Sequence, residues 1–197
     1  ESICTSMIPD LIPKFHELYP GVEIQIKTDV NENLLDMLKT NEVDLAFLID
    51  KRICTPDTVT AYEFEEKIVF VSGSDFHPAK AKNLTVKDII GMPLILTEKG
   101  ISYGLYLENM AAEYSLTLSP FLEIGDTSTI VNLIKQNIGV SILPMFTVAK
   151  SIDRGEIKTL KVKDWDLNLY TQLIYNRYKW MTPAMEKFIE LVSQTYR

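Results

Sequence analysis

The run DLAFLI at residues 44–49 places five apolar residues in a row and then stops. An unalternating run of that length reads as a strand covered on both faces, as in a parallel sheet between helical layers. The sequence around it fits that setting. Ile8, Leu11, Ile12, Phe15, Leu18 and Tyr19 recur at helical spacing, and the turn YPG at 19–21 ends the stripe. VEIQIK at 22–27 alternates as a strand, and Asn31 is placed as the cap of a short helix carrying Leu34, Leu35 and Leu38. Helix, strand, helix, strand is the order of an α/β protein.

A second series of the same kind follows. KIVFVSG at 67–73 is a strand, and the polar stretch SDFHPAKAKN at 74–83 marks a boundary. PLILT (93–97) is the next strand, and Tyr103, Tyr106, Leu107, Met110, Ala111 and Tyr114 form a helical stripe. FLEI (121–124) precedes a helix in GDTSTIVNLIKQ (125–136), capped by Asp126 or Thr127. GVSILP (139–144) is a buried strand and TQLIYN (171–176) another; Thr182 as N-cap and Pro183 behind it open the last helix, bearing Met185, Phe188, Ile189 and Val192.

Charge and chemistry narrow the function. The net charge of −7 is the wrong sign for a nucleic-acid footprint, and no apolar run reaches the ~20 residues of a membrane span. Cys4 and Cys54 are the only cysteines and suit unpaired thiols in a reducing cytoplasm; His16 and His77 share no metal-ligand spacing with them. No nucleophile elbow, zinc-protease helix, phosphate loop or dinucleotide fingerprint is present. Glu65 and Glu66 are adjacent carboxylates, which on a strand point apart and are expected to be solvated. An enzyme is therefore not expected, nor a cofactor or metal.

Three strand-to-helix junctions are rich in hydroxyls: Ser2 to Ser6, Thr97 to Ser102, and Asp126 to Thr129. At the carboxyl ends of strands in open α/β sheets, helix N-termini offer N–H groups and positive dipole to a ligand. Three such junctions in one chain point to a ligand cleft. The first is complicated by Pro9 and Pro13. If Ser2 caps the helix, both prolines lie inside it and bend it; if Ser6 or Met7 is the cap, only Pro13 is interior.

IPDLIPKFHELYPGVEIQIK, NEVDLAFLI, FHPAKAKNLTVKDIIGMPLIL and NIGVSILP resemble, in order and spacing, the effector-binding domain of LysR-type transcriptional regulators. The resemblance covers essentially the whole chain. Asn41 and Asn137 stand where that family usually has glycine, Pro13 is an added proline, and Gly104 stands where a subgroup has a basic residue. The resemblance implies a type 2 periplasmic-binding-protein-like α/β fold, two Rossmann-like subdomains joined by two crossover strands, KIVFVS and YTQLIYN. Residues 1–72 and 170–197 would form the first subdomain and 73–169 the second. A winged helix-turn-helix and most of the first strand are expected to precede Ser2 in the parent protein.

Carried over by position, the resemblance implies effector contacts at Ser2, Ile3, Thr97, Ser102, Gly125 and Thr127, in a cleft between the subdomains. A small carboxylate or other small anion suits hydroxyls and helix N-termini, which hold anions without a cation. Asp126 would repel an anion if it pointed inward, and capping its own helix is the expected role. The resemblance further implies a cytoplasmic homodimer, a tetramer in the full-length protein, with DNA bound only through the separate N-terminal domain. The partner surfaces would be the Ile8 to Tyr19 helix and the TSTIVNLIKQ helix (127–136), whose surplus apolar residues Ile130, Val131, Leu133 and Ile134 agree with a partner surface. A transporter's solute-binding protein, which shares the fold, is the alternative.

Overall fold

The computed structural model describes residues 1–77 and 83–196, so part of the polar stretch, including Pro78, lies outside the described residues. The chain divides into two compact units. One holds Glu1, Ile3–Glu65 and the chain from Leu169 onward; the other holds Ser2 and Glu66–Asn168.

The chain opens with α1 (Ser2–Ser6) and α2 (Ile8–Leu18), separated at Met7. Pro9 has no N–H to offer the carbonyl of Thr5, so the helix breaks and restarts with Met7 as the cap of α2. Pro9 thus falls in the first turn and only Pro13 is interior. α3 (Asn31–Lys39) is capped by Val30 rather than Asn31. The Asn31 amide instead donates to the Ile49 carbonyl and to Asp50, each at 3.1 Å, fastening α3 to β1 (Ala46–Asp50).

β1 pairs antiparallel with β7 (Leu167–Asn176), Phe47 opposite Leu173. The continuous apolar run is explained by cover on both faces. Ala46, Leu48 and Ile174 pack with Leu38 of α3, whereas Phe47 and Leu173 pack with Leu11 and Phe15 of α2 and with Leu191 and Val192 of α8 (Pro183–Thr195). The Phe15 ring meets Phe188 edge-on at 5.4 Å. The expectation of a parallel neighbour fails for this pair, because burial on two faces reports what covers a strand, not which way its neighbour runs. Thr182 caps α8 as its sequence predicts, accepting from the Met185 N–H at 3.2 Å.

VEIQIK is not a strand. Val22, Ile24 and Ile26 are 39%, 39% and 51% exposed, and no ladder partner holds them among the described residues. Alternation supplies the side-chain pattern of a strand, but the backbone groups also need a neighbouring chain to bond.

The two asparagines that depart from the family pattern have a common cause. Asn41 (φ 58°) and Asn137 (φ 59°) both lie just past helix ends in left-handed backbone, which asparagine tolerates better than other side chains. After α3, the Glu42 N–H reaches the Met37 carbonyl at 2.9 Å and closes the helix end. Asn41→Gly is expected to leave stability within about 0.5 kcal/mol, and Asn41→Val to lower it by about 1–2 kcal/mol in urea denaturation. Equal cost for both would remove the backbone explanation.

The second unit is entered along β2 (Thr58–Gly73), which contains the expected strand KIVFVSG. Its later half pairs antiparallel with β5 (Val140–Pro144) and with β6 (Ile157–Thr159). α4 (Val86–Ile90) follows, closed by a reciprocal capping box between Thr85 and Asp88. β3 (Ile95–Leu96) and β4 (Leu122–Glu123) are parallel neighbours, each running into a helix: α5 (Ser102–Glu113) and α6 (Thr127–Lys135). Ile130 and Ile134 of α6, Val148 of α7 (Met145–Asp153), Val69, Val71, Ile95, Leu143 and Ile157 make the core. Val131 and Leu133 pack against that same core, so it already engages the apolar surplus of α6.

Candidate functional site

The parallel pair β3–β4 brings two strand-to-helix junctions side by side, since Ile95 faces Leu122 and Leu96 faces Glu123. From these strand ends the chain turns into α5 and α6, both N-termini lying at the carboxyl edge where α/β proteins hold ligands. Thr127, the first residue of α6, is 2% exposed, and Ser102, the first of α5, is 7% exposed. Hydroxyls that deeply covered need partners.

Ser2 supplies one. Its Oγ lies 3.2 Å from Thr127 Oγ1 and 3.4 Å from Tyr103 Oη, across 125 and 101 residues of sequence. Ser2 is not the cap of α1; Glu1 holds that position and Ser2 is the first helical residue, its hydroxyl turned to Tyr103 and Thr127. Ile3 beside it is buried. Two predicted residues, Ser2 and Thr127, are therefore in direct contact. Thr97 is half-buried on the loop after β3, where it lines a shallow recess with Glu98, Ile101, Gly104 and Glu123.

Asp126 caps α6 as expected. Its Oδ1 accepts from the Thr129 N–H and, at 2.8 Å, from the Ser128 hydroxyl. The Thr129 contacts above all, then Ser128, hold its carboxyl below the usual aspartate range, so it stays ionised while it caps the helix. α5 has no such cap, because Ile101 in that position has no side-chain acceptor.

Two residues escape sequence reasoning. Tyr103 fits the apolar stripe of α5 and is buried like the rest of it, but its hydroxyl ends in the Ser2–Thr127 cluster. Glu98 lies against Gly125: a Cβ on that glycine would meet Glu98 Oε2 at 2.9 Å. A buried tyrosine's need for a polar partner was the one available signal for Tyr103; for Glu98 there was none.

The LysR substrate binding domain family matches this chain over residues 1–197. The chain belongs to that family. Among relatives, the uncharacterized HTH-type transcriptional regulator YwqM of Bacillus subtilis is 29% identical across the whole chain, which spans 67% of YwqM. Other curated relatives are likewise HTH-type regulators, and the chain spans about 60% of their length. The regulatory domain of CcmR from Synechocystis PCC6803, solved in complex with 2-PG, superposes with a TM-score of 0.78 at 20% identity, covering all of this chain and 94% of that one. The effector binding domain of QuiR in complex with shikimate superposes with a TM-score of 0.70 at 16% identity, covering 98% and 91%. These likenesses give the LysR domain its type 2 periplasmic-binding-protein-like fold. They do not favour the transport alternative. No helix among the described residues is long and apolar enough to cross a membrane.

Proposed function

We propose that this LysR domain senses a small organic anion, held by Ser2, Thr97, Ser102, Tyr103, Gly125 and Thr127, and so controls DNA binding by a longer parent protein. In this reading the parent carries the helix-turn-helix, works in the cytoplasm as a homodimer or tetramer, and catalyses nothing. The observation that carries the proposal is the contact of Ser2, Tyr103 and Thr127 hydroxyls at the start of α6, close-packed and covered. Hydroxyl and helix N-terminal donors can rotate or lend their hydrogens to an arriving carboxylate, each charge-assisted bond contributing about 1.5–3 kcal/mol. That CcmR and QuiR domains were solved with small ligands supports the same use of the fold.

A thermal-shift screen of small carboxylates and sulfates tests this, since a ligand that binds only the folded state must raise the melting temperature. For a hit, Thr127→Val and Ser102→Ala are each expected to weaken calorimetric affinity roughly tenfold or more. Unchanged affinity in both variants would remove these residues from the site.

A further inference from the structure

Resting on the proposed effector site, we infer that Glu98 makes it selective for a zwitterion, an α-amino acid or close analogue, over a simple carboxylate. Glu98 stands on the loop between β3 and α5, and its carboxylate reaches across to the loop between β4 and α6. Both of its oxygens approach the place where a Gly125 side chain would be, at 2.9 and 3.3 Å. The absence of a Cβ at residue 125 is thus what admits the carboxylate there. Gly125 is separated from Thr127 only by Asp126, whose Oδ1 accepts from the Thr129 N–H and the Ser128 hydroxyl in capping α6.

The Glu98 carboxylate has no hydrogen-bond or ion-pair partner among the described residues, and it is exposed. An anion seated on the hydroxyls of Ser2, Tyr103 and Thr127 would therefore have a second carboxylate nearby, the one lying against Gly125, two residues before Thr127. Like charges at such range disfavour a simple anion and reward a ligand that carries its own cation. A ligand with a carboxylate at one end and an ammonium on the neighbouring carbon answers both halves. The carboxylate takes the hydroxyls and helix N-terminal donors, and the ammonium takes Glu98.

The test compares the proteinogenic L-amino acids with their desamino counterparts (propionate for alanine, 3-hydroxypropionate for serine) by thermal shift, then by calorimetry on the best pair. The wild-type domain is expected to bind the amino acid roughly tenfold or more tighter than its desamino partner. Glu98→Gln should abolish that preference, and Glu98→Lys should reverse it, with melting temperatures of the unliganded proteins unchanged because the side chain is exposed. Carboxylates binding as well as or better than amino acids would overturn the inference while leaving the effector site standing. So would an amino-acid preference that survives Glu98→Gln. No shift with either set would sink the inference together with the reading it rests on.

Discussion

Glu66→Gln is expected to erase most of a fall in stability that one buried carboxyl imposes between pH 4.5 and 7. Glu66 is only 5% exposed, contrary to the solvated role its sequence suggests, while Glu65 beside it points outward to solvent. The strand alternation that separates the pair drives Glu66 into the second unit, against the start of α7. There Pro144 holds the cap position and has no side-chain acceptor, so Glu66 caps in its place, its Oε1 accepting the Phe146 N–H at 3.2 Å.

Burial raises the Glu66 carboxyl, and the Phe146 and Met145 amides pull it only part of the way back, leaving it at about 7 against an ordinary 4.5. The folded state therefore keeps a proton that the unfolded chain has lost across that window. The associated stability is fully present below 4.5, falls as pH rises and is gone above about 7. Integrated at about 1.4 kcal/mol per pH unit, the loss is about 3 kcal/mol. Glutamine keeps an acceptor for the Phe146 amide and never ionises. At pH 8 the variant should be more stable than the parent by up to about 3 kcal/mol in urea, and at pH 4.5 nearly equal. A difference between the two proteins that stays constant with pH would show that Glu66 does not titrate in this range.

Gly139→Ala should lower stability by about 3 kcal/mol, or roughly 6–12 °C in melting temperature for a chain of this size. A Cβ there would lie 2.3 Å from the Pro93 carbonyl oxygen. That oxygen is backbone and accepts the Val140 N–H at 2.9 Å, in the bridge that sets Leu94 beside Val140 and ties the β3 segment to β5. Neither side can yield without breaking the bond that positions the Thr97 loop. The variant should accordingly also lose affinity for any effector found by the thermal-shift screen. A melting temperature within about 1 °C of the parent would mean the strands can part there at little cost.

Much of the architecture was legible because its causes are local. The helical stripes, the Thr182 and Asp126 caps and the buried run at DLAFLI each depend on residues within a few positions of one another, and each stands in the structure. The junctions after β3 and β4 were legible for the same reason, as hydroxyls placed where an apolar strand gives way to a helix. What failed required a partner from far along the chain. VEIQIK has the alternation of a strand but no neighbouring ladder among the described residues, and β1 turned out to run against β7, a strand more than a hundred residues later.

The site divides along the same line. Residue type by itself marked out three hydroxyl-rich junctions, Ser2 to Ser6, Thr97 to Ser102 and Asp126 to Thr129, and the family resemblance named the individual residues within them. Only the tertiary structure turned the Ser2 hydroxyl from a helix cap to Thr127 and Tyr103, recruited a tyrosine from an apolar stripe, and laid Glu98 against the bare backbone of Gly125. It also buried Glu66 beside an uncapped helix. The physical reason is one of range. Periodicity and capping act over one or two turns, whereas a hydroxyl's partner, a carboxylate's neighbour and a strand's ladder are chosen by whichever surfaces the whole chain brings together.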